Sequence, residues 1–106
     1  MNLKLILNEM KKELGISEDV KVVVKPMKTK AASVTLGKNE IRINRNLLDL
    51  DEDCIRYLIL HELIHIKLKT KYHTEAFYKI LYRIFEKSKI EKIENEILRK
   101  LLKNLR

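Results

Sequence analysis

All three histidines of this 106-residue chain lie in one short segment, HELIHIKLKTKYH, at residues 61–73. His61 and His65 are four residues apart, and Glu62 directly follows the first. Residues four apart lie on the same face of a helix, so two imidazoles can point at one ion. Glu62 is turned about 100° around the helix from His61, where it fits poorly as a ligand but can take a proton from a water that the metal activates. The spacing predicts a metal site with a glutamate base.

A third ligand is available just after the predicted helix. Catalytic zinc sites use three protein ligands and keep a fourth position open. The chain turns near Thr70 and has enough length to bring His73 back to the ion. The single cysteine excludes an internal disulfide and a four-cysteine zinc site. We therefore predict Zn²⁺ held by His61, His65 and His73, with Glu62 as the general base.

Several neighbouring residues have a second possible role. Tyr57, one turn before His61, and Tyr72, next to His73, could donate to the oxyanion of a tetrahedral intermediate, although packing with a locally satisfied hydroxyl is favoured. Cys54 lies on the same side of the helix, too far along the axis to reach the same ion, and is interpreted as a small core residue. The lysine-rich KPMKTK lacks interleaved aromatic residues and is expected to be a solvated turn.

The motif requires a buried helix to carry it. Acidic residues crowd the start of a helix predicted from about Asp51 to Lys69, and its apolar residues surround almost the whole circumference, as in a central helix. Another helix is predicted from about Asn2 to Leu14, ending at Gly15. Thr74 is expected to cap a third helix. Its packing stripe is Phe77, Ile80, Leu81, Ile84 and Phe85.

The region between the first two helices predicts a small sheet. VKVVVK, SVTL and EIRIN are strand-like, and the GKN that separates the last two is a hairpin signal. In EIRIN, Ile41 and Ile43 alternate with Glu40, Arg42 and Asn44, as in a half-exposed strand, and we expect it at an edge. The predicted class is α+β, with a small, mainly antiparallel sheet, an active-site helix and C-terminal helices.

The tail at residues 89–106 is predicted to be a separate amphipathic helix, because Ser88 and Lys89 interrupt the preceding stripe. Residues 1–88 would then form the catalytic domain. Seven apolar side chains are too many to leave in water, so the tail should cover either its own cleft or that of a second copy. We favour a homodimer with exchanged tails. In either place, Glu91, Glu94 or Glu96 could approach the zinc and displace its water, which would make the full-length chain latent. The stripe comprises Ile90, Ile93, Ile97, Leu98, Leu101, Leu102 and Leu105.

Composition limits the partners. Charged residues interrupt the apolar N-terminus, so neither a signal peptide nor a membrane span is expected, and a cytoplasmic location is predicted. The net charge is +8, but the lysines are scattered and often lie near glutamates. This pattern favours a solvated surface, and a nucleic-acid partner is unlikely on this basis.

The segment GKNEIRINRNLLDLDEDCIRYLILHELIHIKLKTKYHTEAF resembles the signature of the YgjP/SprT-like metallopeptidase families, which combine an INLN-type strand, a YVVVHELxH helix and a downstream HxxxF. Given its short length, the chain is most similar to the minigluzincins, small zincins that are similar to the catalytic cores of HtpX-like membrane peptidases. The resemblance implies a zincin-like fold whose sheet edge binds peptide. It also implies metal ligands at His61, His65 and His73, and a catalytic role for Glu62.

The expected function is zinc-dependent hydrolysis of peptide bonds in a peptide or protein paired to the exposed edge of residues 40–44. Two alternatives stay open. One is an SprT-like protease that acts on DNA-bound proteins. The other is a zinc-bound or dimeric interaction module without turnover.

Overall fold

The computed structural model describes residues 1–105, and the helix α2, Glu52–Leu68, lies at its centre. The Asp51 carboxylate caps the start of α2 by accepting a hydrogen bond of 3.1 Å from the Cys54 backbone N–H. Lys69 ends it in the left-handed conformation, with φ 54°. Buried residues follow one another along almost the whole helix. The predicted range and the predicted central position are both confirmed.

The N-terminal helix α1, Leu3–Leu14, packs along α2. Asn2 caps its start, and Gly15 ends it at φ 65°, a conformation that glycine adopts without a Cβ clash. A hydrogen bond of 2.7 Å from Lys67 Nζ to the Leu14 carbonyl joins the ends of the two helices. These contacts hold one side of α2 against α1.

The other side of α2 meets a three-stranded sheet of β1 (Lys21–Lys25), β2 (Ala32–Thr35) and β3 (Glu40–Asn44), in the order β1-β3-β2. The β2–β3 hairpin is antiparallel as predicted, and Asn39 adopts positive φ in its turn. However, β1 pairs with β3 in parallel, so the sheet is mixed rather than mainly antiparallel. The prediction that β3 is an edge strand is wrong, because both of its sides are paired. Alternation of apolar and polar residues indicates which face of a strand is buried, but it does not determine which strands pair with its two edges.

Asn44 was also expected on the exposed face of β3, but its exposure is 0%. Its side-chain amide donates hydrogen bonds of 3.0 and 2.9 Å to the carbonyls of Met27 and Lys30, and its oxygen accepts one from the Asn46 backbone N–H. These bonds satisfy the buried amide and fix the loop that leads into β2. Asn44 is therefore a structural anchor.

Two further helices complete the fold: α3 (Glu75–Ile84), capped by Thr74, and α4 (Lys87–Asn104). The break between them lies at Phe85 and Glu86, three residues before the predicted interruption at Ser88 and Lys89. The α4 helix packs on α2 and on the 3₁₀ turn Arg45–Leu47 of the same chain. No helix formed by residues 1–105 is both long and apolar enough to cross a membrane. Of the predicted stripe, Ile90, Ile93 and Ile97 are buried, whereas Leu98, Leu102 and Leu105 are more than half exposed.

Candidate active site

The three histidines meet at one place, as their spacing predicted. His61 and His65 project from α2, and His73 lies in the loop between α2 and α3. The ring centroids are 5.1 Å apart for His61–His65, 4.9 Å for His61–His73 and 5.0 Å for His65–His73. One ligand atom from each ring lies within 4.8 Å of the other two. The arrangement can hold a metal ion.

The end of α2 orients His65. After the left-handed turn at Lys69, the Thr70 carbonyl accepts a hydrogen bond of 2.8 Å from His65 Nδ1. A carbonyl can only accept, so Nδ1 carries the hydrogen and Nε2 of the neutral ring keeps its lone pair. His65 is 5% exposed. This buried imidazole is therefore fixed in the tautomer that a metal requires.

His73 is held directly before the cap of α3. Partial desolvation is the main cause that lowers the pKa of His73, and the neighbouring His61 and His65 lower it further. The Glu62 and Glu94 carboxylates act in the opposite direction. A lowered pKa favours the neutral ring, which is the form that binds metal. The donor set of three imidazoles fits zinc, which commonly takes His ligands.

Glu62 lies beside this cluster and is 7% exposed. Its Oε1 atom is 3.3 Å from His61 Nδ1. The carboxylate also lines the same cleft as the three histidines. Its placement next to the imidazoles, without being one of the clustered ligand atoms, matches the position expected for a base.

Phe77 supports the cluster in a way that the sequence did not indicate. Its ring lies 4.9 Å from His61, 4.9 Å from His65 and 4.8 Å from His73, and the residue is 1% exposed. Sequence periodicity placed Phe77 only in the packing stripe of α3. The signal for its second role was the HxxxF pattern, in which Phe77 follows His73 by four residues.

A cleft of about 600 Å³ opens over the cluster. Ala31 and Ala32, at the start of the edge strand β2, form part of its wall. The sheet edge at the site therefore belongs to β2, and not to β3 as the sequence suggested. Lys30 and Lys71 also line the cleft, and α4 contributes its far side.

The tyrosines and the tail carboxylates occupy distinct positions. Tyr57 is 3% exposed and donates a hydrogen bond of 2.7 Å to Glu94 on α4, so its hydroxyl is satisfied locally. Tyr72 is 77% exposed and lies outside the linings of the cavities at the site. The Cys54 thiol is 3.5 Å from the Glu96 carboxylate, away from the histidines. Among the three tail glutamates, Glu94 lines the cleft that contains the whole cluster.

The geometry of the site agrees with the protein family that the sequence matches. Residues 1–98 match the model of the YgjP-like, metallopeptidase domain. The chain belongs to the YgjP-like metallopeptidase family. A metal is implied by that membership, and a peptidase of this kind acts on peptides or proteins.

Solved structures agree in fold. The metallopeptidase zymogen of Methanocaldococcus jannaschii jannalysin is 37% identical, with a TM-score of 0.86, over 95% of this chain and 98% of that one. The metallopeptidase zymogen of Pyrococcus abyssi abylysin is 30% identical, with a TM-score of 0.88, over 99% of this chain and all of that one. An uncharacterized protein of Aquifex aeolicus is 42% identical over 74% of this chain and 72% of its own length. The predicted fold class is confirmed.

Proposed function

We propose that this chain is a zinc-dependent metallopeptidase in which His61, His65 and His73 hold the metal and Glu62 is the general base. The observation that carries the proposal is the convergence of three imidazoles from two parts of the chain beside a buried carboxylate. Three histidines leave a fourth position of a tetrahedral ion for water or substrate. A purely structural zinc site would more commonly fill all four positions.

The residues divide the chemistry between them. A bound zinc ion would polarise the scissile carbonyl and lower the pKa of water. Glu62 accepts the proton of the attacking water and later passes it to the leaving amine. The substrate is held extended by backbone hydrogen bonds to the free edge of β2, at the wall of the cleft. This edge replaces the β3 edge that was inferred from the sequence.

The metal assignment is tested by zinc content and zinc affinity. The purified protein should hold close to one zinc per chain, and His61→Ala, His65→Ala and His73→Ala should each weaken binding by at least about tenfold. The matched control is Tyr72→Phe, because Tyr72 is exposed and directly precedes His73. Parental zinc affinity in His73→Ala would disprove the third-ligand assignment.

We further propose that α4 keeps the full-length chain latent. The two solved structures named above are both described as metallopeptidase zymogens. In this chain, α4 forms one side of the cleft, and the Glu94 carboxylate is close enough to influence the pKa of His73. Glu94 is therefore the tail residue that we assign to blocking the fourth metal position. Glu96 bonds to Cys54, and Glu91 lines only the neighbouring cavity.

Latency is tested by removing α4 or its blocking carboxylate. A chain that ends at Glu86, and the full-length Glu94→Gln variant, should both hydrolyse unstructured peptides faster than the parent. Glu91→Gln is the control on the same helix. If both altered chains stay folded and zinc-loaded but are no more active than the parent, α4 does not enforce latency.

The homodimer and the cytoplasmic location remain predictions. The contacts that α4 makes within this chain could be made equally with a second copy, because only Phe85 and Glu86 separate it from α3. A swapped dimer would have twice the chain mass in sedimentation, and deletion of α4 would convert it to monomer. If the full-length chain sediments with the mass of a monomer, the swap is excluded.

A further inference from the structure

The cleft contains a carboxylate supplied by α4. The Glu94 side chain accepts the 2.7 Å hydrogen bond from the Tyr57 hydroxyl, and both residues line the cleft beside His61. Tyr57 is buried on α2, one helical turn before His61. When α4 leaves, the Tyr57 hydroxyl loses this acceptor and opens to the cleft.

In the open cleft water can accept this hydrogen bond, so an occupant competes for the Tyr57 hydroxyl best when it supplies a strong acceptor. A carboxylate oxygen is the strongest replacement, because bonds to an ionised acceptor are stronger than bonds to a neutral one. The group that takes the place of Glu94 is therefore expected to be another carboxylate.

The charges around the cleft favour the same type of ligand. Four charged side chains line it: Lys30, Lys71, Glu62 and Glu94. Within residues 1–105, neither of these lysines lies within ion-pair distance of a carboxylate. Displacement of α4 removes the negative charge of Glu94 and leaves both ammonium groups facing the cleft. Among the charged side chains that line the cleft, the two ammonium groups then outnumber the one remaining carboxylate of Glu62, which favours an acidic group beside the lysines.

We infer that the cleft selects its substrate through a carboxylate, which replaces Glu94 on the Tyr57 hydroxyl and is steered there by Lys30 and Lys71. This inference rests on the proposed peptidase function and names the substrate class of the same site. The carboxylate can come from an acidic side chain or from the free end of a peptide. Tyr57 is accordingly a specificity residue in this account.

The test measures peptide binding to the full-length chain. Glu62→Gln prevents consumption of the peptide, and Glu94→Ala removes both the resident carboxylate and the acceptor on the Tyr57 hydroxyl. The probes are capped alanine pentapeptides with a central glutamate or glutamine, together with an alanine pentapeptide that has a free or an amidated carboxyl end. Calorimetry should give about tenfold tighter binding for a probe that carries the carboxylate than for its uncharged counterpart. Preference for the central glutamate identifies a side chain, and preference for the free acid identifies a chain end; either supports the inference.

Further variants assign the preference to its residues. Adding Tyr57→Phe should reduce the binding preference for the carboxylate probe at least about threefold. Lys30→Gln or Lys71→Gln should weaken the same preference in a salt-dependent manner. Lys28→Gln, exposed in the same loop and outside the lining of the cleft, is the control for Lys30 and should leave the preference intact. The preference should also survive removal of the metal by a chelator, because Tyr57 and the lysines, rather than the ion, provide it.

Equal binding of the charged and uncharged probes, or absence of binding, overturns the inference. So does a preference that persists in Tyr57→Phe or disappears with the metal. In a chain that keeps Glu62, a Tyr57→Phe change that slows hydrolysis of both probes equally, with unchanged relative binding, would instead make Tyr57 an oxyanion donor and would also refute carboxylate selection. Zinc content and Glu62-dependent hydrolysis, measured separately, report on the proposed function, so its failure is distinguishable from failure of this inference.

Discussion

Replacement of Phe77 by leucine should weaken metal binding although Phe77 is not a ligand. The Phe77 ring lies within 4.9 Å of all three imidazole centroids. Aromatic pairs contribute about 0.5–1.5 kcal/mol each beyond their buried area, and leucine restores only the apolar part of the contact. Loss of groups that orient metal ligands typically costs about 10–100-fold in affinity. We expect Phe77→Leu to weaken zinc binding about tenfold and to destabilise the fold by roughly 1–2 kcal/mol.

The matched control for Phe77→Leu is Phe85→Leu, at the end of α3. Phe85 is also buried, but its aromatic contact is with Tyr57, at 6.2 Å. Both variants should lose several degrees in the melting temperature of the metal-free protein. Only Phe77→Leu should lose zinc affinity, measured by competition with a chromogenic chelator. Equal zinc affinity in the two variants would refute the idea that the Phe77 ring positions the histidines.

Two further predictions concern buried polar groups. Asn44→Ala removes the donors to the Met27 and Lys30 carbonyls and should lower the free energy of unfolding by about 2–3 kcal/mol in urea titrations, whereas Asn46→Ala should cost less. Burial, followed by the Asp51 and Glu96 charges, raises the pKa of Cys54 from 9.0 to about 12. The folded state therefore holds the thiol proton more tightly than the unfolded state, and stability is lost as pH rises from about 9 to 12; Cys54→Ala should flatten that loss. An identical alkaline profile in Cys54→Ala would show that the thiol makes no such contribution.

The site was predictable because its chemistry is local in sequence. The spacing of His61, Glu62 and His65 on a helix, and the cap at Thr74 after His73, depend on helical geometry alone. The structure brings the three histidines together, with His73 reaching the other two from the loop after α2. Apolar residues on every face of α2 similarly indicated its burial. Hydrophobic periodicity reports such features directly.

Features that depend on distant pairing were predicted less well. The strand order β1-β3-β2 places a parallel pair next to a hairpin, and no residue within EIRIN specifies which strand will lie beside it. Asn44 was assigned to the solvent side because its partners are loop carbonyls 14 and 17 residues away. Glu94 could not be distinguished from Glu91 and Glu96 before the crossing of α4 over α2 was known. In each case, the feature is determined by tertiary contacts, which the local sequence pattern does not specify.

Peptide hydrolysis at the histidine cluster should depend on Glu62 as the base. The most direct measurement compares hydrolysis of an unstructured peptide by the zinc-loaded chain ending at Glu86 and by the same chain with Glu62→Gln. Glutamine keeps the shape and hydrogen-bonding capacity of the side chain but cannot accept the proton. We predict that zinc content is unchanged and that the hydrolysis rate falls by about a hundredfold or more. An equal rate in the two zinc-loaded chains would contradict the account.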